Sequence, residues 1–94
     1  MNYSTATTIL QLQDRNLRKL NNFRFTAHGV EYRLKYESGF APMLWIEWRL
    51  VGKRNFKEYN GLSMARCMSI KEAFEMVLEH IGEPKNTELL DLIK

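Results

Sequence analysis

The alternation of apolar and polar residues is clearest in the middle of the chain. Between Val30 and Tyr36 every second residue is apolar or aromatic and the residues between them are charged, and the stretch from Met43 to Leu50 alternates in a similar way. Because successive side chains of a strand point to opposite faces of a sheet, this period of two predicts two half-buried strands. The turn between them is predicted at residues 37–42, which contain Gly39 and Pro42.

Shorter patterns extend this sheet on both sides. Phe23 and Phe25 alternate with polar residues ahead of a His28-Gly29 turn, and residues 56–59 follow a predicted turn at 52–55. These patterns predict a third and a fourth antiparallel strand. Asn60-Gly61 predicts one more turn, and residues 62–68 fit either an edge strand or a packed loop.

The spacing of three leucines and Gln13 predicts a helix before the strands, from about Thr5 to Leu20. Residues 10, 13, 17 and 20 step by three and four and therefore share one helical stripe, and Ser4 is placed to cap the start. The β-branched run over residues 5–9 favours a strand instead, so helix and strand both remain open for the first segment.

Two further helices are predicted after the strands. Ser69 followed by Glu72 is a capping box, an apolar stripe runs from Ile70 to Ile81, and Gly82 ends the pattern. A short C-terminal helix begins after Asn86, and at about eight residues it is too short to be stable in water without packing on something else. The segment 86–94 is therefore expected to complete the core or to form an interface.

The order of elements predicts an α+β fold. We expect one domain over residues 1–94, a two-layer sandwich with an antiparallel three- to four-stranded sheet and helices on one of its faces, in the order α-β-β-β-(β)-α-α. A hydrophobic content of 45% is typical of a globular domain. The length of 94 residues fits a single small core.

The single cysteine and the lack of a long apolar run favour a cytoplasmic location. Cys67 is the only cysteine, so no internal disulfide can form, and no apolar run approaches the roughly 20 residues that a membrane span needs. Residues 1–13 lack the pattern of a secretory signal. We expect neither a membrane partner nor secretion.

Candidate chemistry is sparse along the chain. His28, His80 and Cys67 lack the spacing of a metal site, and the sequence contains no glycine-rich phosphate loop and no nucleophile elbow. The histidines are interpreted as a turn residue and a helix-surface residue, and the cysteine as a small core residue. We therefore expect no enzyme, no metal and no cofactor.

One face of the predicted sheet combines basic and aromatic residues, which suits nucleic acid because rings stack on bases and cations neutralise phosphates. Strand parity and the neighbouring turn contribute the following candidate binding residues: Arg33, Lys35, Trp45, Arg49, Lys53, Arg54 and Lys57. An ordinary solvated sheet face would carry alternating cations too, so both interpretations remain open.

The helix that starts with Ser69-Ile70-Lys71-Glu72-Ala73, after a helix and three strands, is similar in topology to a double-stranded-RNA-binding domain. That family grips phosphates with a basic cluster at the start of its last helix. Here the cluster is reduced to Lys71, and the exposed side of the helix carries carboxylates that would repel a phosphate backbone: Glu72, Glu75 and Glu79. Membership is not inferred, and any nucleic acid would be expected to meet the sheet or the basic end of the first helix.

An acidic helix face opposite a basic sheet face favours docking on another protein by charge complementarity. The C-terminal segment adds apolar residues for a hetero-partner or a homodimer: Leu89, Leu90, Leu92 and Ile93. The sequence therefore predicts a small non-enzymatic protein-binding module, an accessory or inhibitory protein that docks on a larger cytoplasmic machine. Single-domain chains without recognisable signatures often belong to phages or other mobile elements, and on that general ground we expect the same origin here. The alternative is a nucleic-acid-binding protein that uses the basic, aromatic sheet face.

Overall fold

Four strands follow one another in space in the same order as in the sequence. The computed structural model describes residues 11–39, 41–67, 69–83 and 86–93. Helix α1, of which residues 11–17 are described, continues into a 3₁₀ turn at Arg18–Leu20. The sheet follows, with β1 at Arg24–Ala27, β2 at Val30–Glu37, β3 at Met43–Leu50 and β4 at Lys57–Ser63. Helix α2 covers Ile70–His80, and helix α3 at Thr87–Leu90 leads into a 3₁₀ turn at Asp91–Ile93.

Each strand pairs antiparallel with the next, which confirms the predicted α+β fold. In the long β2–β3 ladder Leu34 lies opposite Ile46, and both side chains are fully buried on what we call the inner face. Arg33 and Glu47 are paired one position along, on the outer face. The predicted strand parity between β2 and β3 is therefore confirmed.

The core lies between the inner face and the helices. The ring of Phe74 on α2 meets Phe23 and Phe25 edge-on, at centroid distances of 5.6 and 5.1 Å. Leu17 and Leu20 add fully buried side chains from α1 and its 3₁₀ turn. Edge-to-face contacts of this kind contribute beyond the area they bury. They hold α2 against the first hairpin, so the helices cover one side of the sheet and leave the outer face open.

Both helix caps that the sequence predicts after the sheet are present. Ser69 Oγ accepts a hydrogen bond from Glu72 N at 3.1 Å, and Asn86 Oδ1 accepts one from Leu89 N at 3.2 Å. Gly82 follows the C-cap of α2 with a φ of +87°, a conformation that glycine adopts without strain. The predicted helix start at Thr5 and its cap at Ser4 lie outside the described residues.

The predicted turn at Asn60-Gly61 is wrong, because both residues lie inside β4. The ladder between β3 and β4 shifts register between Ile46 and Glu47, so β4 contains one extra residue at this bulge. Gly61 lies opposite Trp45, and a Cβ atom there would be only 2.6 Å from the indole ring. The glycine therefore marks a close approach of a side chain to the backbone rather than a change of chain direction.

Candidate functional site

The outer face carries both signs of charge in equal number. Arg33, Lys35, Trp45 and Arg49 lie on it as predicted. Within the four described strands this face has four cations and four carboxylates: Arg24, Arg33, Lys35, Arg49, Glu31, Glu37, Glu47 and Glu58. The face as a whole is therefore neutral rather than basic.

Its arginines are bound to carboxylates on neighbouring strands. Arg33 Nε donates to Glu47 Oε1 at 2.8 Å, and Arg49 Nη2 donates to both carboxylate oxygens of Glu31 at 3.1 Å. Arg24 Nη1 lies 3.8 Å from the same Glu31 carboxylate. Two of the predicted nucleic-acid contacts, Arg33 and Arg49, are thus already engaged in ion pairs and would have to give them up to bind phosphate.

Phe56 covers these ion pairs from the turn between β3 and β4. The guanidinium carbons of Arg33 and Arg49 lie 4.2 and 4.3 Å from the centroid of its ring, and that of Arg24 lies at 5.4 Å. Cations over an aromatic face are attracted by its quadrupole. The ring therefore holds the turn on the outer face, a role that the sequence analysis missed because it assigned Phe56 only to a strand.

The other two predicted residues of the outer face also have partners within the protein. Trp45 Nε1 donates to Glu37 Oε2 at 3.0 Å, and its ring lies over Gly61. Lys35 Nζ donates to Asn22 Oδ1. The ring and the ammonium group are thus held by local contacts at one end of the face.

The remaining predicted cations gather at the other end of the sheet, around the turn between β3 and β4. Lys53 and Arg54 are exposed in that turn, and Lys57 lies opposite Trp48, with its Nζ 5.6 Å from the centroid of the indole ring. This register places Lys57 on the inner side of the sheet. The prediction that all seven candidate residues share the outer face is wrong at Lys57, because the bulge in β4 and its pairing with Trp48 fix its direction.

We call this surface the hairpin-end patch and define it by five residues: Trp48, Leu50, Lys53, Arg54 and Lys57. They line a shallow pocket of about 310 Å³ together with Arg49 and Asn55. In the described part of the chain none of the three patch cations has an ion pair. Leu50 shares the parity of the buried Leu44 and Ile46 on β3, yet it is 50% exposed.

The exposed side of α2 carries the opposite charge, as predicted. Its residues recur at intervals of three and four positions, and we call them the α2 stripe: Glu72, Glu75, Met76 and Glu79. All four side chains are exposed. The α2 stripe is acidic, with the exposed Lys71 beside it, whereas the hairpin-end patch is basic.

A second polar cluster ties α1 to β2. Asp14 accepts hydrogen bonds from Arg18 at 2.6 Å and from the Tyr36 hydroxyl at 3.0 Å. The hydrogen bond from Arg18 lowers the pKa of the Asp14 carboxyl. Burial, and then the Asp14 carboxylate, raise the pKa of Tyr36 to about 12. The phenol therefore stays protonated at neutral pH and serves as a hydrogen-bond donor between the two elements.

The histidines and the cysteine contact different parts of the fold. His28 in the β1–β2 turn pairs with Glu83, and His80 Nε2 lies 3.0 Å from Asn60 Nδ2. Cys67 is buried against Met76, and burial raises the pKa of its thiol. A metal-binding group of three or more His, Cys, Asp or Glu residues is absent from the described residues.

The C-terminal apolar residues divide between the core and the surface. Leu89 is buried in the core and Leu90 packs against it, whereas Leu92 is 52% exposed. Leu90 and Ile93 line an apolar pocket of about 280 Å³ with Ile70 of α2. Most of the predicted interface residues therefore attach the tail to its own domain.

Comparison of the chain with protein-family models, with curated proteins and with solved structures finds no match. Across the described residues, no helix combines the length and the apolar character that crossing a bilayer requires.

Proposed function

We propose that this chain is a non-enzymatic, cytoplasmic protein-binding module that docks its hairpin-end patch on an acidic surface of a larger protein, as an accessory or inhibitory factor. The proposal rests on one contrast within the structure. The arginines of the outer face are paired with carboxylates, whereas the cations of the hairpin-end patch have no ion pair in the described residues and surround exposed apolar side chains.

The composition of the patch favours a protein over a nucleic acid as the partner. Leu50 is 50% exposed and the adjacent Val51 61%. Aliphatic side chains cannot stack on bases, whereas apolar anchors inside a polar rim are typical of protein interfaces. Tryptophan and arginine, both present here, are the residues most often found at the energetic centres of such interfaces.

Charge complementarity defines the chemistry of the partner. Three cations that form no ion pair within the described residues, around an apolar centre, fit a surface that carries Asp or Glu side chains around an apolar residue. Exposed ion pairs contribute only about 0.2–1 kcal/mol each, so the apolar contact supplies affinity and the charges supply orientation and on-rate. Docking is therefore expected to weaken with salt but to persist at physiological ionic strength.

The test compares two variants with the same change in net charge. In the patch variant Lys53, Arg54 and Lys57 become serine, and in the control variant the exposed Arg15, Lys19 and Arg66 become serine. Each protein is used to capture partners from lysate, and the partner retained by wild type is purified and titrated. We expect the patch variant to bind this partner at least roughly tenfold more weakly and the control to stay within about twofold.

Two outcomes would overturn the proposal. Equal loss of binding in both triple variants would mean that only net charge matters. Steep, salt-dependent binding of wild type to a random-sequence single-stranded oligonucleotide in a gel shift, abolished in the patch variant, would instead support nucleic-acid binding.

A further inference from the structure

The chain carries an acidic surface of the kind that its hairpin-end patch would bind. The α2 stripe presents Glu72, Glu75 and Glu79 around the exposed Met76. The patch presents three cations around Trp48 and Leu50. Each surface therefore combines an apolar centre with three charges, and the signs of those charges are opposite.

We infer that a second copy of this chain docks its α2 stripe on the hairpin-end patch, an inference that rests on the proposed function of the patch as a docking surface. The three carboxylates lie within eight residues of helix, from Glu72 to Glu79, whose seven steps of about 1.5 Å make about 10 Å. The three cations lie within the five-residue interval from Lys53 to Lys57. Both charge sets are therefore short enough to face one another within a single contact.

Local charge outweighs the net charge of the chain at contact distance. The chain has a formal charge of +3, which would make copies repel one another weakly. Screening limits such interactions to about 10 Å at 0.1 M salt, so two docked surfaces interact mainly through their own charges. Glu75 and Glu79 have no ion pair in the described residues, and neither do the patch cations.

The contact joins different surfaces of the two copies and leaves one patch and one stripe unused at its ends. Such head-to-tail contacts extend into rings or longer chains rather than stopping at a symmetric dimer. Because the second copy occupies the patch, self-association and docking on the larger partner exclude each other. Concentrated protein is therefore expected to bind that partner less well per chain than dilute protein.

The experiment blocks the two surfaces separately. One variant carries Lys53→Ser, Arg54→Ser and Lys57→Ser, and the other carries Glu72→Gln, Glu75→Gln and Glu79→Gln. Molar mass is measured by sedimentation at increasing concentration and at low and high salt, and a thermal melt checks that each variant is folded. The matched control for the first variant is the triple substitution of Arg15, Lys19 and Arg66 by serine.

For wild type and the control variant we expect a mass that rises with concentration and falls with salt. Each blocked variant alone should keep the mass of one chain, because one of its two surfaces is missing. Their equimolar mixture should form a pair with the mass of two chains and no larger species, since only one contact is available.

Three results would overturn the inference: wild type that remains one chain in mass up to its solubility limit, a mixture that forms no pair, or a stripe variant that still associates alone. If wild type stays monomeric while the patch variant still loses the larger partner, the proposed function stands and only self-association fails. If a blocked variant is unfolded, the single substitutions Lys53→Ser and Glu75→Gln should each lower the association constant several-fold.

Discussion

Gln13 provides the sharpest test of how the fold is held together. Its side chain is 2% exposed, and its Nε2 atom lies 2.6 Å from Met64 O, 2.9 Å from Ala65 O and 2.7 Å from Cys67 O. These contacts connect α1 to the loop between β4 and α2, more than fifty residues further along the chain. Met64 O also accepts a backbone hydrogen bond from Cys67 N at 3.0 Å, and the amide adds donors for the carbonyls of this loop, which lie outside the strands and helices.

Replacing Gln13 with leucine should lower the free energy of unfolding by about 1–3 kcal/mol. Leucine keeps the apolar contacts of the side chain but has no donor. The amide carries two hydrogens, so two hydrogen bonds are lost, at about 0.5–1.5 kcal/mol each. Met64 O keeps a hydrogen bond from Cys67 N at 3.0 Å, so the buried Cys67 O is the acceptor most affected. Urea unfolding followed by far-ultraviolet circular dichroism measures the change. The slope of the unfolding free energy against urea concentration should stay the same, which shows that both proteins unfold in the same reaction.

Gln11→Leu is the matched control, because Gln11 is exposed on the same helix and the chemical change is identical. We expect it to change stability by less than about 0.5 kcal/mol. Gln13→Glu should have a lower free energy of unfolding than Gln13→Leu at neutral pH, because a carboxylate would face three carbonyl oxygens. Its pKa would be raised in the fold, so stability should return as the pH falls below it. Equal stability of the Gln11 and Gln13 leucine variants would refute the reasoning.

Three further predictions concern other parts of the fold. Gly61→Ala should destabilise by about 1–3 kcal/mol and shift the fluorescence of Trp45, because the new Cβ would lie 2.6 Å from its ring; wild-type stability would contradict this. The pKa of Tyr36 is raised to about 12, so the folded state favours the protonated phenol. This preference adds fully to the free energy of unfolding below the unfolded pKa of about 10, and the added stability is lost as the pH rises towards 12. Between about pH 10 and 12 the melting temperature of Tyr36→Phe should therefore fall less steeply with pH than that of wild type. Parallel profiles of melting temperature against pH would contradict this prediction. Leu89→Ala should cost about 2–4 kcal/mol in chemical unfolding and Leu92→Ala less than about 0.5, since only Leu89 is buried; similar losses would show that the tail packs differently.

The sequence predicts the faces of the strands well because alternation is a local property. Side chains two residues apart must point the same way, so the burial of Leu34 and Ile46 followed from the pattern alone. The outward direction of Arg33 and Arg49 followed for the same reason. Parity says nothing about which residues of two strands lie opposite each other, and that register depends on contacts far apart in sequence.

The candidate site was mispredicted where such non-local contacts decide the outcome. Glu47 shares the outer parity of Arg33, so its presence on that face could be read from the sequence, but its 2.8 Å ion pair could not. Asn60-Gly61 has the composition of a turn, yet the ring of Trp45 requires a glycine within the strand. Leu50 has the same parity as the buried Ile46 and is still 50% exposed, so parity gives the direction of a side chain but not its burial.

Arg49 connects the neutral outer face to the turn that carries part of the hairpin-end patch. Arg49 donates both to Glu31 and, through Nη1, to the carbonyl of Arg54 at 3.0 Å, while its guanidinium lies on Phe56. The arginine that neutralises the sheet thus also fixes the turn that carries Lys53 and Arg54. A turn held in this way loses less conformational entropy when it binds, so affinity at the patch should depend on Phe56 although that ring faces the other side. Phe56→Leu should therefore weaken docking although all three patch cations remain in place. Unchanged docking would show that binding at the hairpin-end patch does not depend on the outer face.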